Sequence, residues 1–186
     1  MKRLFCKICG MEINDNNYNF NSAAFIDKNS VEHIVKCPFC GVNEEYISAD
    51  PGMVHIDREA INHEAFKIID HAVKLEIFNG DFYREAAVLA ENPENRDLFK
   101  ALSIIEYTHA RVHKNLAGIK EDPKLSKLDY SKYNTDAALL ELAAKRELHA
   151  VEYYKKYKSS IGNKDIGSIF DALAEVESEH IELTEK

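Results

Sequence analysis

The chain holds 186 residues, 45% of them hydrophobic, and carries a formal net charge of −8, which leaves room for one ordinary domain with a real core and a second small one. So acidic a chain excludes nucleic acid and anionic membrane as partners, since both demand a basic face. No stretch approaches the roughly 20 apolar residues of a membrane span, and Met1-Lys2-Arg3 leads into Cys6 rather than into the apolar run of a signal peptide, so a cytoplasmic protein is expected.

Residues 1–50 read as a small domain with short aromatic and β-branched runs (Tyr18, Phe20, Phe25, Ile26, Val31, Ile34, Val35) and no sustained helical period. Such a segment is too small to be held by burial alone. The staple is Cys6-Lys7-Ile8-Cys9-Gly10 together with Cys37-Pro38-Phe39-Cys40-Gly41. Four cysteines in two C-x-x-C pairs, in a reducing compartment, make a tetrahedral thiolate site for one iron or one zinc. The glycine after each second cysteine permits the turn that aims backbone N–H groups at sulfur. The two knuckles, with the run Cys-Pro-Phe-Cys-Gly-Val-Asn-Glu-Glu-Tyr at the second, resemble rubredoxin, which implies an iron that shuttles one electron. The chain lacks tryptophan, and the segment between the knuckles does not read as a rubredoxin core, so a structural zinc ribbon is the other reading.

Ser48-Ala49-Asp50-Pro51-Gly52 breaks the chain, and residues 51–186 read as a bundle of four helices. Helical pattern runs from this break to about Ala90, with the inward stripe Ile69, Ala72, Glu76, Asn79, Tyr83, Ala86 and Ala90, mostly apolar with one carboxylate in its middle. Asn92-Pro93 caps a second helix with stripe Leu98, Leu102, Ile105, His109, Val112 and Leu116, joined by Glu106 and stopped at Gly118. Residues 118–134 have no helical stripe. Their extended reach of about 56 Å exceeds the roughly 36 Å of a 24-residue helix, so this connection can return along the bundle and set the third helix parallel to the second. Thr135 caps that third helix, with Leu139 or Leu140, Ala143, Glu147, Ala150, Tyr154 and Tyr157. A turn at Ser159–Asn163 leads to Ile166, Ile169, Leu173, Val176, Glu177, His180 and Leu183.

Glu106 with His109, and Glu177 with His180, are each three apart on a helix, so each pair lies on one face and can grip a metal ion. Glu76 lies 14 residues before Ala90, and Glu106 lies 13 after Pro93, which puts both about 20 Å from the turn of an antiparallel hairpin. Glu147 and Glu177 match in the same way about Ser159 and Asp165. Four buried carboxylates without cations would each cost several kcal/mol or take up protons, whereas two divalent ions cancel their charge. Carboxylate with imidazole favours iron, manganese or zinc over magnesium or calcium, and two iron ions, or manganese, are expected in the bundle. Tyr83 and Tyr154 point inward beside the site and are the candidates to hydrogen-bond a carboxylate or a bound oxygen species. His113 is placed at the bundle edge or behind a ligand, and His33, His55, His63, His71 and His149 on the surface or between helices.

A bundle with Glu, E-x-x-H, Glu, E-x-x-H and one long crossover resembles the ferritin-like di-iron proteins. With the four-cysteine segment attached it looks like rubrerythrin, in the order with that segment first, as in the reverse rubrerythrins. The resemblance implies reduction of hydrogen peroxide to water, with electrons from a reductase or other donor entering through the thiolate iron; dioxygen is the other expected oxidant. It further implies a homodimer or larger, with one chain's four-cysteine site near another's di-iron site. Rubrerythrins carry a second inward glutamate three residues after the third helix's ligand, where this chain has Ala150. The six-ligand set that remains looks more like a ferroxidase centre, which makes iron handling the alternative; a zinc ribbon for partner binding on a structural bundle is the third.

Overall fold

A computed structural model describes residues 2–185. Three short strands, β1 (Leu4–Cys6), β2 (Glu12–Ile13) and β3 (Ile47–Ser48), form an antiparallel sheet in the order β2-β1-β3, with Leu4 opposite Ile13 and Cys6 opposite Ile47. Strands of two or three residues bury too little to persist alone, and the two cysteine knuckles supply the order. The knuckles share one bonding pattern: Cys6 N–H donates to the Met11 carbonyl (3.1 Å) and Gly10 N–H to that of Cys6 (2.9 Å), while Cys37 N–H donates to Val42 (2.8 Å) and Gly41 N–H to Cys37 (2.9 Å). Gly10 and Gly41 take φ of +75° and +77°, the left-handed region that favours glycine.

Four helices follow: α1 (His63–Leu89), α2 (Pro93–Ala117), α3 (Asp136–Tyr157) and α4 (Lys164–Thr184). Asn62, Asn92, Thr135 and Asn163 each accept an N–H of the first turn through the side chain, and Gly118 closes α2 at φ +68°, as N-cap and left-handed C-cap chemistry requires. The break at Pro51-Gly52 and the start of α1 do not coincide. Residues 49–62 run outside the helix apart from one tight turn at Arg58–Ala60, capped by Asp57. This segment is tied to both parts of the chain: Val54 N–H donates to the Lys7 carbonyl (2.9 Å), and the Arg58 guanidinium donates twice to the Asn115 carbonyl (3.1 and 2.7 Å).

The residues between α2 and α3 return the length of the bundle, as their reach allowed. The Asp136 carboxylate, at the start of α3, accepts from Glu91 N–H (2.8 Å), Asn92 N–H (3.0 Å) and Asn95 Nδ2 (2.7 Å), all at the α1–α2 turn. The starts of α2 and α3 are therefore side by side, and those helices run parallel while α1–α2 and α3–α4 are antiparallel hairpins. Tyr130 of the crossover is buried against Phe82 and accepts from Arg146 (2.8 Å), whose guanidinium lies over the rings of Phe78, Phe82 and Tyr130. The bundle is filled by Ile69, Phe82, Phe99, Leu102, Ile105, Leu139, Phe170 and Leu173, all buried. Among the described residues no helix is long and apolar enough to cross a membrane.

Candidate metal centres

Matched heights on the two hairpins bring Glu76, Glu106, His109, Glu147, Glu177 and His180 to one point in the bundle, each at most 1% exposed. They form two overlapping groups: Glu76, Glu106, His109 and Glu177 offer ligand atoms within 4.8 Å of one another, and so do Glu106, Glu147, Glu177 and His180. Glu106 and Glu177 belong to both. His109 Nδ1 lies 2.8 Å from Glu177 Oε1 and 4.0 Å from Glu106 Oε2; His180 Nδ1 lies 2.9 Å from Glu177 Oε2 and 3.5 Å from Glu106 Oε1. Both oxygens of Glu106, one each of Glu76, Glu147 and Glu177, and His109 Nδ1 have no hydrogen-bond partner. Buried polar atoms are rarely left so. A set of hard oxygens with two imidazoles, orphaned together around one point, fits two divalent ions with the two shared carboxylates between them.

Electrostatics agree. Burial first, then the neighbouring carboxylates, push Glu76, Glu106 and Glu147 well above the usual carboxyl range. Burial also raises Glu177, but His109 and His180 beside it outweigh burial and hold it low. Tyr83 of α1 donates to Glu147 Oε1 of α3, and Tyr154 of α3 donates to Glu76 Oε1 of α1. Both phenols are pushed well up, by burial and then by those carboxylates, so each keeps its proton and leaves one oxygen of its glutamate free.

His113 is not at the bundle edge. It is fully buried, with Nε2 2.7 Å from the Tyr154 hydroxyl and its ring edge-on to Phe170. Since Tyr154 spends its proton on Glu76, His113 Nε2–H is the donor of that bond. Burial, and then His109, lower its pKa to about 3, which keeps it neutral. A signal for this architecture stands in the sequence: Glu76 and Glu147, Tyr83 and Tyr154, Phe99 and Phe170, Glu106 and Glu177, and His109 and His180 are all 71 apart. The two hairpins repeat one another about the site, and the repeat fails at His113 against Thr184 and at Asn79 against Ala150. Asn79 and Ala150 are both buried, and no carboxylate stands at either position. His33, His55, His63, His71 and His149 are exposed and take no part.

The four cysteines are buried and free of disulfides, with Cys6 Sγ 3.6 Å from Cys40 Sγ and Cys9 Sγ 3.6 Å from Cys37 Sγ. Metal–sulfur bonds of about 2.3 Å at tetrahedral angles place sulfurs roughly 3.8 Å apart, so the cluster fits a tetrathiolate ion. Burial raises Cys37 and Cys40 far above the ordinary thiol range, while hydrogen bonds from Cys37, Cys40 and Cys9 hold Cys6 low; a cation would replace the protons. Cys37→Ser is expected to abolish metal here, and with it a binding free energy on the order of 10 kcal/mol that doubles as folding free energy in small thiolate sites. Metal analysis and hydrogen exchange over residues 4–48 check this, with retained metal as the contrary result.

The two centres touch. His109 Nε2 lies 2.9 Å from the Cys40 carbonyl, so Nε2 carries the proton and donates, leaving the Nδ1 lone pair for the carboxylate cluster, the arrangement usual for a metal-bound imidazole. Both partners of this bond belong to one chain. A family model described as a ferritin-like domain matches residues 64–184. Comparison with curated proteins and with solved structures gives no match.

Proposed function

This chain belongs to the ferritin-like domain family, and from that premise we propose that it is a rubrerythrin-type di-iron oxidoreductase that reduces hydrogen peroxide to water with electrons entering through iron at the four cysteines. The observation that carries the proposal is the 2.9 Å bond from His109 Nε2 to the Cys40 carbonyl. It joins a candidate ligand of the bundle site to a candidate ligand of the thiolate site, so a continuous bonded path of one imidazole and one hydrogen bond separates them.

Glu76, Glu106, His109 and Glu177 would hold one ion, and Glu106, Glu147, Glu177 and His180 the other. Bound iron would supply the ferrous–ferric steps that peroxide reduction needs. The chain does the rest: Leu102, Ile105, Leu139 and Leu173 keep water out, and the Tyr154 hydroxyl, bracketed by Glu76 and His113, holds a proton beside the reacting space. Tyr83 does the same against Glu147 without a histidine behind it. Reduction of peroxide consumes two protons with its two electrons.

Ala150 supports a second reading, ferrous iron oxidation, because the wall there offers no further carboxylate. The test is to mix anaerobically iron-loaded, fully reduced protein with one equivalent of peroxide and follow the visible band of a ferric tetrathiolate by stopped flow, with dioxygen as control. Return of colour much faster with peroxide, and repeated turnovers with a reductant supplied, support the peroxidase. Faster reaction with dioxygen and a thiolate iron that stays ferrous would favour iron oxidation, and zinc at the four cysteines would sink the electron-entry argument.

A further inference from the structure

The contact between the four-cysteine segment and α4 is built from side chains that neither metal centre uses. Lys36 and Glu179 form an ion pair with side chains only 12% and 13% exposed. The other Glu179 oxygen accepts from Ile26 N–H at 2.8 Å. One turn earlier on α4, Glu175 accepts from Asn43 Nδ2 at 3.1 Å. Between these anchors Gly41 lies so close to α4 that a Cβ there would fall 2.7 Å from Val176 Cγ1.

The arrangement follows from sequence position. Lys36 and Asn43 flank the second knuckle and pair with each other in an isolated β-bridge, so the two anchors are held as one piece with Cys37 and Cys40 between them. Glu175 and Glu179 flank Glu177 on α4. The clamp therefore grips the residues immediately around one centre and fastens them to the residues immediately around the other.

We propose that Glu179 is a positioning residue for electron transfer between the centres: by holding Lys36 and the Ile26 amide it sets the second knuckle so that the Cys40 carbonyl meets His109 Nε2–H. The inference rests on the electron-entry reading above. Each transfer would move one electron, from ferrous iron held by Cys6, Cys9, Cys37 and Cys40 to ferric iron held by the bundle carboxylates and imidazoles, with no bond made or broken. An external one-electron carrier protein restores the thiolate iron. Without Glu179 a nearly desolvated ammonium and a backbone N–H lose their acceptor together, and the knuckle is free to shift against α4. Misplacement by about 1 Å from a remote change can cost on the order of 100-fold in rate.

The test uses the full chain, iron-loaded, as unsubstituted protein, Glu179→Ala, Lys36→Ala and the exchanged pair Lys36→Glu with Glu179→Lys. Stopped-flow return of the ferric thiolate band after peroxide reads the transfer; metal content and hydrogen exchange of residues 22–48 read the docking. Glu179→Ala and Lys36→Ala are expected to slow the band about tenfold or more with metal content unchanged and exchange over residues 22–48 raised, and the exchanged pair to recover part of both. An unchanged rate in both single variants overturns the proposal. So does a slowed rate accompanied by loss of bundle metal, because Glu179 would then act only as the neighbour of His180. Absence of the band in the unsubstituted protein sinks the electron-entry reading itself and this proposal with it, an outcome distinct from the other two.

Discussion

Glu106→Gln is expected to cost the bundle both of its metal ions, whereas Glu76→Gln or Glu147→Gln costs one. Glu106 and Glu177 each belong to both groups of ligand atoms, while Glu76 and Glu147 each belong to a single group. Glu106 faces His109 at 4.0 Å through Oε2 and His180 at 3.5 Å through Oε1, so its two oxygens would serve different ions. A neutral amide is a poorer ligand and cancels no charge, and the ion on either side is left with excess repulsion. Metal analysis of anaerobically loaded, desalted protein reads the result; one ion retained by Glu106→Gln would show that the carboxylate is not shared. The metal-free variant is expected to melt no lower than the unsubstituted metal-free protein. Glutamine fills the same volume, and the change removes a buried ionisable group from a cluster that has too many.

The second large effect is a reversal of pH dependence by metal. Burial and then neighbouring carboxylates raise Glu76, Glu106 and Glu147 well above the ordinary 4.5. His109 and His180 are raised above 6.5, against burial, chiefly by Glu177. A group whose folded pKa is raised contributes stability that is fully present below its unfolded pKa and lost as pH rises through its folded pKa. Above pH 6.5 the unfolded chain has released protons that the folded cluster still holds, so stability of the metal-free protein falls with pH, by about 1.4 kcal/mol per pH unit for each such proton. His113, lowered to about 3, has the opposite sign, but its loss of stability comes as pH falls below 6.5. Glu177, held low, acts in the same sense only below 4.5, whereas Cys6, also held low by its thiol neighbours, opposes the fall throughout the window, one proton against those of the carboxylate–imidazole cluster. Metal binds the carboxylates as anions and the imidazoles neutral, so metal-induced stabilisation grows with pH instead. Unfolding midpoints at pH 6.5 and 8.5, with chelator and with ferrous iron, should move in opposite directions; a midpoint that rises with pH in chelator would contradict the stated pKa directions.

The bundle was legible because its signals are local. Asn92-Pro93, Gly118 and Thr135 mark ends that hydrogen bonds within a turn decide, and the heights of Glu76 and Glu106 follow from helical rise alone. The crossover was legible as reach: a connection longer than a helix permits a parallel neighbour, and Asp136 at the α1–α2 turn supplies the reason it is adopted. The start of α1 at His63 was not, because residues 53–62 are kept out of the helix by Arg58 reaching Asn115 and Val54 reaching Lys7, contacts that no periodicity encodes. His113 was left between two placements because a lone histidine one turn past His109 looks alike in either. The bond from His109 to Cys40 and the ion pair of Lys36 with Glu179 join parts of the chain with unrelated patterns, and their residues carry no mark of it beyond charge.

On the proposed electron route, joining the four-cysteine segment to the bundle by one covalent chain would also change the order of the reaction between the two centres. Only 14 residues separate Ser48 of β3 from His63 of α1, and short flexible linkers hold their ends at effective concentrations on the order of millimolar. Here the linker is pinned rather than free, by Arg58 and Val54, so the proposed donor would meet its acceptor without a search. Transfer between centres of one chain would then be unimolecular. Diluting the protein leaves it unchanged, whereas the same two parts made as separate proteins would slow in proportion to the dilution.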